Sequence, residues 1–178
     1  MPHAAAMIST ERTTMRRMLS TDAAELHLTV GAPSVMKYWV GGADRTIAET
    51  EQRIARFQAH WDTHGFGDWG VLLKQRQELI GFCGLHYIPD MQDVTLGYAL
   101  NERVCRCGYA TEICQAVLEY GFSNLNIPLI VAVIWPENVA SIALAQKLGM
   151  IFDSEIIWGG GQRVVYGMSR DRWLEVHQ

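Results

Sequence analysis

The sequence predicts an α/β fold in which helices flank a mixed central sheet. The elements come in the order helices, three strands, helix, strand, helix, two strands, which is not the regular alternation of a doubly wound fold. The strand candidates also differ in kind. Val94, Leu96, Tyr98 and Leu100 alternate onto one face, whereas Leu129 to Ile134 is continuously apolar, as in a strand buried on both faces.

Each element has a local reason. A short helix is expected near Thr21-Asp22 and another near Ser34. Thr46-Ile-Ala-Glu49 is a capping-box pattern, and Ile47, Ile54, Phe57 and Trp61 follow on one stripe, giving a helix over 46–61. Gly70 to Lys74 and Glu78 to Ile88 read as strands joined by the polar Gln75-Arg76-Gln77 turn, and Pro89-Asp90 breaks the second. Val94 to Leu100 is the third strand. Ile113, Val117 and Tyr120 mark a helix from Ala110 to Ser123. A helix over 139–148 stops at Gly149, and strands 151–158 and 163–168 are joined through Gly159-Gly160-Gly161.

With 178 residues, 49% hydrophobic and 19% charged, the chain fits one ordinary globular domain over 10–178, preceded by a tail over 1–9. A net charge of −4 gives no electrostatic reason to expect nucleic acid or an anionic membrane as partner. The longest apolar run, Leu129 to Trp135, is too short to span a bilayer, and Met1 to Thr10 lacks a signal-peptide pattern, so the expected compartment is the cytoplasm. Cys105-x-Cys107 with Cys114 lacks the spacing and the second ligand pair of a structural zinc site. No metal is expected, and the cysteines, Cys83 included, read as free thiols.

The segment richest in chemistry runs from Leu100 to Glu112. A strand ends, a loop containing Gly108 turns, and a helix begins at once. Amide groups at a helix start have no partner inside the helix and sit at the positive end of its dipole, so a diphosphate fits there. Gly108 and Ala110 keep side-chain bulk away from it. Many strand–loop–helix junctions are merely turns, so the residues alone leave both readings open.

Val94-Thr-Leu-Gly-Tyr-Ala-Leu-Asn-Glu-Arg-Val-Cys-Arg-Cys-Gly-Tyr-Ala-Thr-Glu112 resembles the coenzyme A pyrophosphate motif of GNAT acetyltransferases, whose pattern Q/R-x-x-G-x-G/A falls on Cys105 to Ala110. Gly108-Tyr-Ala-Thr-Glu112 is close to the form of the ribosomal-protein N-terminal acetyltransferase (RimJ/RimL-like) branch. Thr10-Glu-Arg12 with Arg16 to Leu19 and Asp22, Ile80 to Leu85, and Asn138-Val-Ala-Ser141 leading to Lys147-Leu-Gly-Met150 resemble further motifs of that branch, in order. There are departures. Cys105 stands where the family has Gln, Arg or Trp, Thr95 where many members have an acid, and Ala145 where others have a tyrosine.

The resemblance implies a mostly antiparallel mixed sheet with a splayed V-shaped opening between Val94–Leu100 and Leu129–Ile134, where acetyl-CoA lies. It implies transfer of an acetyl group to a primary amine without an acyl-enzyme. Expected cofactor contacts are Tyr98, Ala99 and Leu100, then Cys105, Arg106, Cys107, Gly108, Tyr109, Ala110 and Thr111, and finally Asn138 and Ser141. Asn138 is equally a natural N-cap. In the family, final strands often pair across dimers, which makes a homodimer one expectation.

The attacking amine must be neutral. Near pH 7 an α-amino group is roughly 15% neutral and a lysine about 0.04%, so a site poor in bases suits an α-amine of a protein, peptide or amino acid. His86, near the end of an interior strand, is the leading base because imidazoles transfer protons near neutrality. Tyr98 and Ser141 are the other catalytic candidates, Ser141 toward the leaving thiolate. Glu102 is a weaker base candidate. Cys105 and Cys107, beside a helix start that lowers thiol pKa, are the alternative as nucleophiles. Trp39, Trp61, Trp69, Trp135, Trp158 and Trp173 are core or acceptor-pocket aromatics, which the sequence does not sort. A small-molecule acceptor such as an aminoglycoside or polyamine, or an acetyl-CoA sensor without turnover, are the alternative functions.

Overall fold

A bulge at Ile80 interrupts the alternation along the strand Glu78–Ile88 and shifts which residues reach each of the two cores it serves. Ile80, Cys83 and Leu85 face one side, Leu79 and Phe82 the other, and all five are buried. The computed structural model describes residues 7–177. Among these, the strands are β1 Ile8–Ser9, β2 Thr13–Arg17, β3 Asp68–Leu73, β4 Glu78–Ile88, β5 Asp93–Leu100, β6 Leu129–Ile134, β7 Ile151–Trp158 and β8 Gly161–Ser169. They form one sheet in the order β1-β2-β3-β4-β5-β6-β8-β7.

Every neighbouring pair is antiparallel except β5 and β6. A parallel pair needs a long crossover, here α4 Tyr109–Ser123. These two strands pair only at Val94↔Ile130 and Thr95↔Val131. Beyond them β5 pairs with β4 alone, and the sheet opens into the expected wedge.

The other helices are α1 Ala23–Val30, α2 Pro33–Met36, α3 Ile47–His64, α5 Val139–Lys147 and α6 Arg170–His177. One core lies under α4 and contains Trp69, Val117, Phe122 and Met168. The other lies under α1 and α3 and contains Leu26, Ile54, Phe57 and Phe82. Phe82 is fully buried between Trp39 and Phe57, at ring-centroid distances of 5.0 and 5.1 Å. Burying such a side chain stabilises the fold by about 1.5–3 kcal/mol.

Three local expectations change. Thr46 caps α3 by accepting from the Glu49 amide at 3.2 Å, but Glu49 accepts from the Arg45 amide at 2.7 Å instead of closing the box on Thr46. The expected tail is shortened, because Ile8 and Ser9 pair with Met15 and Thr14; residues 1–6 lie outside the described residues. The helix over 170–177 has no counterpart in the sequence reading. Its apolar residues are too few for a clear stripe, although Trp173 is buried against Phe122 at 5.5 Å.

Candidate active site

The opening between β5 and β6 continues into a cavity of about 800 Å³. Leu96, Gly97 and Tyr98 of β5 face Ala132, Val133 and Ile134 of β6 across it. α5 closes one side through Ser141, Leu144 and Ala145. The segment Tyr38 to Gly41, with α3, closes the other.

The start of α4 is built to leave its amides open. Its N-cap, Gly108, has φ +83°, and no side chain caps the helix. A Cβ at Gly108 would meet only Arg12 Nη2, at 3.4 Å, so the glycine is required by its backbone angle more than by space. Arg12 straps this turn. Its Nη1 donates to the Cys107 carbonyl at 2.8 Å, its Nε donates to Glu112 at 2.6 Å, and its guanidinium lies 4.2 Å over the Tyr109 ring.

Glu112 would otherwise oppose an anion here. Burial alone would raise its carboxyl, but hydrogen bonds from Thr10 and Arg12 and the guanidinium charge outweigh that and hold it below its ordinary value. The turn can therefore receive a diphosphate on backbone donors while the nearby acid is neutralised. Cys105 to Thr111 do not line the large cavity.

On the α5 side, the Tyr98 hydroxyl and Ser141 Oγ are 3.0 Å apart, and either can donate. Burial pushes the Tyr98 hydroxyl up to about 12, outweighing the opposing bond to Ser141, so it keeps its proton throughout the neutral range. Asn138 Oδ1 accepts from the Ser141 amide at 3.3 Å, fixing the start of α5, and both residues line the cavity. Ala99 turns its side chain into the α1–α3 core and Leu100 into the α4 core, and neither lines the cavity.

On the α3 side, His86 Nδ1 lies 3.3 Å from Asp68 Oδ2, and both residues line the cavity. Donation of the Nδ1 proton to this carboxylate leaves Nε2 as the acceptor. The His86 side chain is 41% exposed and Asp68 5%, so a buried acid orients an accessible imidazole. Burial raises Asp68, and its bond to His86 opposes the rise.

Beneath them, His60 stacks on His86 with centroids 4.0 Å apart. Its Nδ1 is 2.8 Å from the Phe66 carbonyl, and its Nε2 accepts from the Tyr87 amide at 3.0 Å. These partners fix a neutral ring. Burial, followed by the charge of His86, lowers His60 to about 4.

His86, Tyr98, Asn138 and Ser141 thus converge on one cavity. Glu102 does not; it is exposed in a short 3-10 turn, Glu102–Val104. The expectation of an acidic thiol at the helix start is reversed for Cys105, whose pKa is raised by partial burial and by Glu102. Thr95 donates to the His86 carbonyl at 3.1 Å and Ala145 is buried at the cavity wall. Trp39, Trp135 and Trp158 line the cavity, whereas Trp61, Trp69 and Trp173 are buried in the core. Sequence reasoning missed Asp68, an isolated acid at a strand start, and the strap by Arg12, which makes sense only once β2 lies beside α4. Among the described residues, no group of three or more His, Cys, Asp or Glu side chains could hold a metal, and no helix is long and apolar enough to cross a membrane.

The acetyltransferase (GNAT) domain family matches residues 12–151. The chain belongs to that family. It is a GNAT-family N-acetyltransferase, and enzymes of this family use acetyl-CoA. The Bacillus subtilis protein YkkB is 32% identical over 150 residues, covering 83% of this chain and 86% of its own. The crystal structure of an acetyltransferase from Agrobacterium tumefaciens superposes with a TM-score of 0.82 at 26% identity, covering 94% of this chain and 96% of that one. RimL, a ribosomal L7/L12 α-N-protein acetyltransferase solved with coenzyme A, superposes at 0.78 and 16% identity, covering 94% of this chain and 99% of its own; this likeness is one of fold.

Proposed function

We propose that this GNAT acetyltransferase acylates an α-amino group of a protein, peptide or amino acid, by direct transfer from acetyl-CoA. One observation carries the reading. The oriented imidazole of His86 and the protonated Tyr98–Ser141 pair open on the same cavity from opposite faces of the split sheet. The Gly108 turn and the amides of Tyr109, Ala110 and Thr111 would hold the diphosphate. Cys105, Arg106 and Cys107 would border it, and the free backbone edge at Tyr98, Ala99 and Leu100, with Asn138 and Ser141, would hold the pantetheine arm.

In this reading the neutral amine attacks the thioester carbonyl carbon, and the C–S bond breaks. His86 Nε2 takes the proton of the new ammonium, with Asp68 stabilising the imidazolium. The leaving thiolate is protonated through Ser141, backed by the Tyr98 hydroxyl. Holding both reactants in one wedge supplies proximity, and a positioned base typically contributes about 10²–10⁴-fold. A single base of this kind suits an α-amine better than a lysine, which is far less often neutral.

The Gly108-Tyr-Ala-Thr-Glu112 and Asn138-x-x-Ser141 motifs favour the ribosomal-protein branch, whose acceptors are α-amines, and the fold-level likeness to RimL agrees with it. The His86–Asp68 pair weighs against a sensor without turnover, since it supplies a base where Thr95 and Ala145 replace acids.

The test is free-thiol release from acetyl-CoA with N-terminal peptides, amino acids, polyamines and aminoglycosides. Turnover is expected with an α-amine, and His86→Ala is expected to lower kcat by about 10²-fold or more while leaving acetyl-CoA affinity unchanged. Turnover confined to polyamines or aminoglycosides, or acetyl-CoA binding with no turnover at all, contradicts the reading.

A further inference from the structure

The glycine run that joins β7 to β8 has a purpose beyond making a turn. Arg163, just after it on β8, is only 1% exposed, yet it lines the cavity. Its Cζ lies 3.3 Å from the centroid of the Trp135 ring, so the guanidinium is flat against the indole. Nη1 donates to the Gln162 carbonyl at 2.9 Å and Nη2 to the Gly159 carbonyl at 3.1 Å. A Cβ at Gly161 would come within 2.7 Å of the Trp135 ring and 3.1 Å of Arg163 Nη1. One at Gly159, where φ is +57°, would come within 2.9 Å of Val40. The glycines therefore permit the stack and let the hairpin close on the Tyr38–Gly41 segment.

Among the described residues no carboxylate lies within ion-pair distance of this charge, and Glu137 acts on it only through space. The carbonyls and the indole face orient the guanidinium without neutralising it, and among the described residues it makes no ion pair. The other charges at the cavity are mostly spoken for. Arg53 is paired with Asp44 at 2.7 Å, Glu49 with Arg45 at 3.1 Å, and Asp68 with His86. Arg56 lines the same cavity and, among the described residues, also makes no ion pair. A buried cation without an anion is costly, and a site that keeps one gains most from a ligand that brings the anion. A guanidinium has five N–H donors in a fixed fork, and two are used here, which leaves an edge suited to a planar carboxylate.

We propose that Arg163 anchors the acceptor, and that the acceptor is an amine bearing a carboxylate. The proposal rests on the α-amine reading above for the reaction, but not for the binding. The carboxylate can belong to a free amino acid or to an acidic side chain near a peptide N-terminus. A site built to bond a charged group rejects the analogue that lacks it.

The test is calorimetric titration of the CoA-loaded protein with a panel of N-acetyl amino acids, the matching N-acetyl amides, and N-acetyl peptide amides carrying Asp or Glu. At least one free acid, or one acidic peptide amide, is expected to bind about tenfold or more tightly than its neutral counterpart. Which of the two shows the preference names the source of the carboxylate. Arg163→Met is expected to abolish the preference and Arg163→Lys to retain part of it. The CoA affinity of each variant reports whether it is folded; if Arg163→Met is not, Arg163→Lys and the wild-type comparison decide. Equal or undetectable binding of acids and amides by the wild type overturns the proposal, as does a preference that survives in a folded Arg163→Met. Selective binding of acids with no acetylation of any α-amine would leave the anchor standing and remove the α-amine reading instead.

Discussion

The proposed cofactor and acceptor sides of the wedge are built differently. The proposed cofactor side, which runs beyond the cavity to the Gly108 turn, uses contiguous chain: β5 ends, Gly108 turns, α4 begins, and α5 follows one strand later. Its donors are mainly main-chain amides, and its side chains (Arg12, Glu112, Asn138) hold that main chain in place. The proposed acceptor side is assembled from Tyr38–Gly41, α3, the ends of β3 and β4, and the β7–β8 hairpin, which are far apart in sequence. There the chemistry lies in side chains, namely His86 on Asp68, Arg53 on Asp44, and Arg163 on Trp135. A ligand common to a whole family can be held by backbone geometry, whereas an acceptor particular to one enzyme needs side chains that vary.

Substitutions that affect one side and spare the other sharpen this contrast. The largest effect is expected from Asp44→Ala, which leaves Arg53 buried and unpaired and costs about 3–5 kcal/mol of stability. Chemical unfolding measures it, and a loss below about 1 kcal/mol would show that the pair contributes little. Gly108→Ala strains a left-handed turn by about 1–2 kcal/mol and should raise KM for acetyl-CoA about tenfold with the acceptor KM unchanged. Equal shifts in both constants would break the division between the sides. Ser141→Ala removes one hydrogen bond, worth about 1 kcal/mol, and should lower kcat several-fold while sparing the acceptor KM.

The last effect is one of pH. His60 has its folded pKa lowered from 6.5 to about 4, so between those values the unfolded chain binds the extra proton. Stability contributed by the neutral ring is therefore present above pH 6.5 and declines as pH falls toward 4. Unfolding midpoints across that window should flatten in His60→Asn, which leaves Asp68, His64 and His86 in place. An unchanged slope would mean that His60 is not the group responsible.

The same contrast explains what the sequence made legible. β4 and β6 are recovered to the residue, and α4 and β5 to within one, because alternation, continuous apolarity and helical spacing are local signals. Asn138 was readable as an N-cap because capping is local as well. Asp68 was not, since its meaning depends on β3 and β4 pairing to bring it beside His86. Arg163 and Trp135 are separated by 28 positions and meet only because β8 lies beside β6. The short pairing of β5 with β6, on which the wedge depends, leaves no mark in either strand's composition; it was expected only through the family resemblance.

The central claim is direct transfer across that wedge, and initial-velocity kinetics with both substrates varied, combined with a rapid-mixing assay for thiol release, tests it most directly. Direct transfer predicts intersecting double-reciprocal lines and no thiol released from acetyl-CoA until the amine is added. Parallel lines with a burst of thiol in the absence of amine would mean an acyl-enzyme, and would contradict the account.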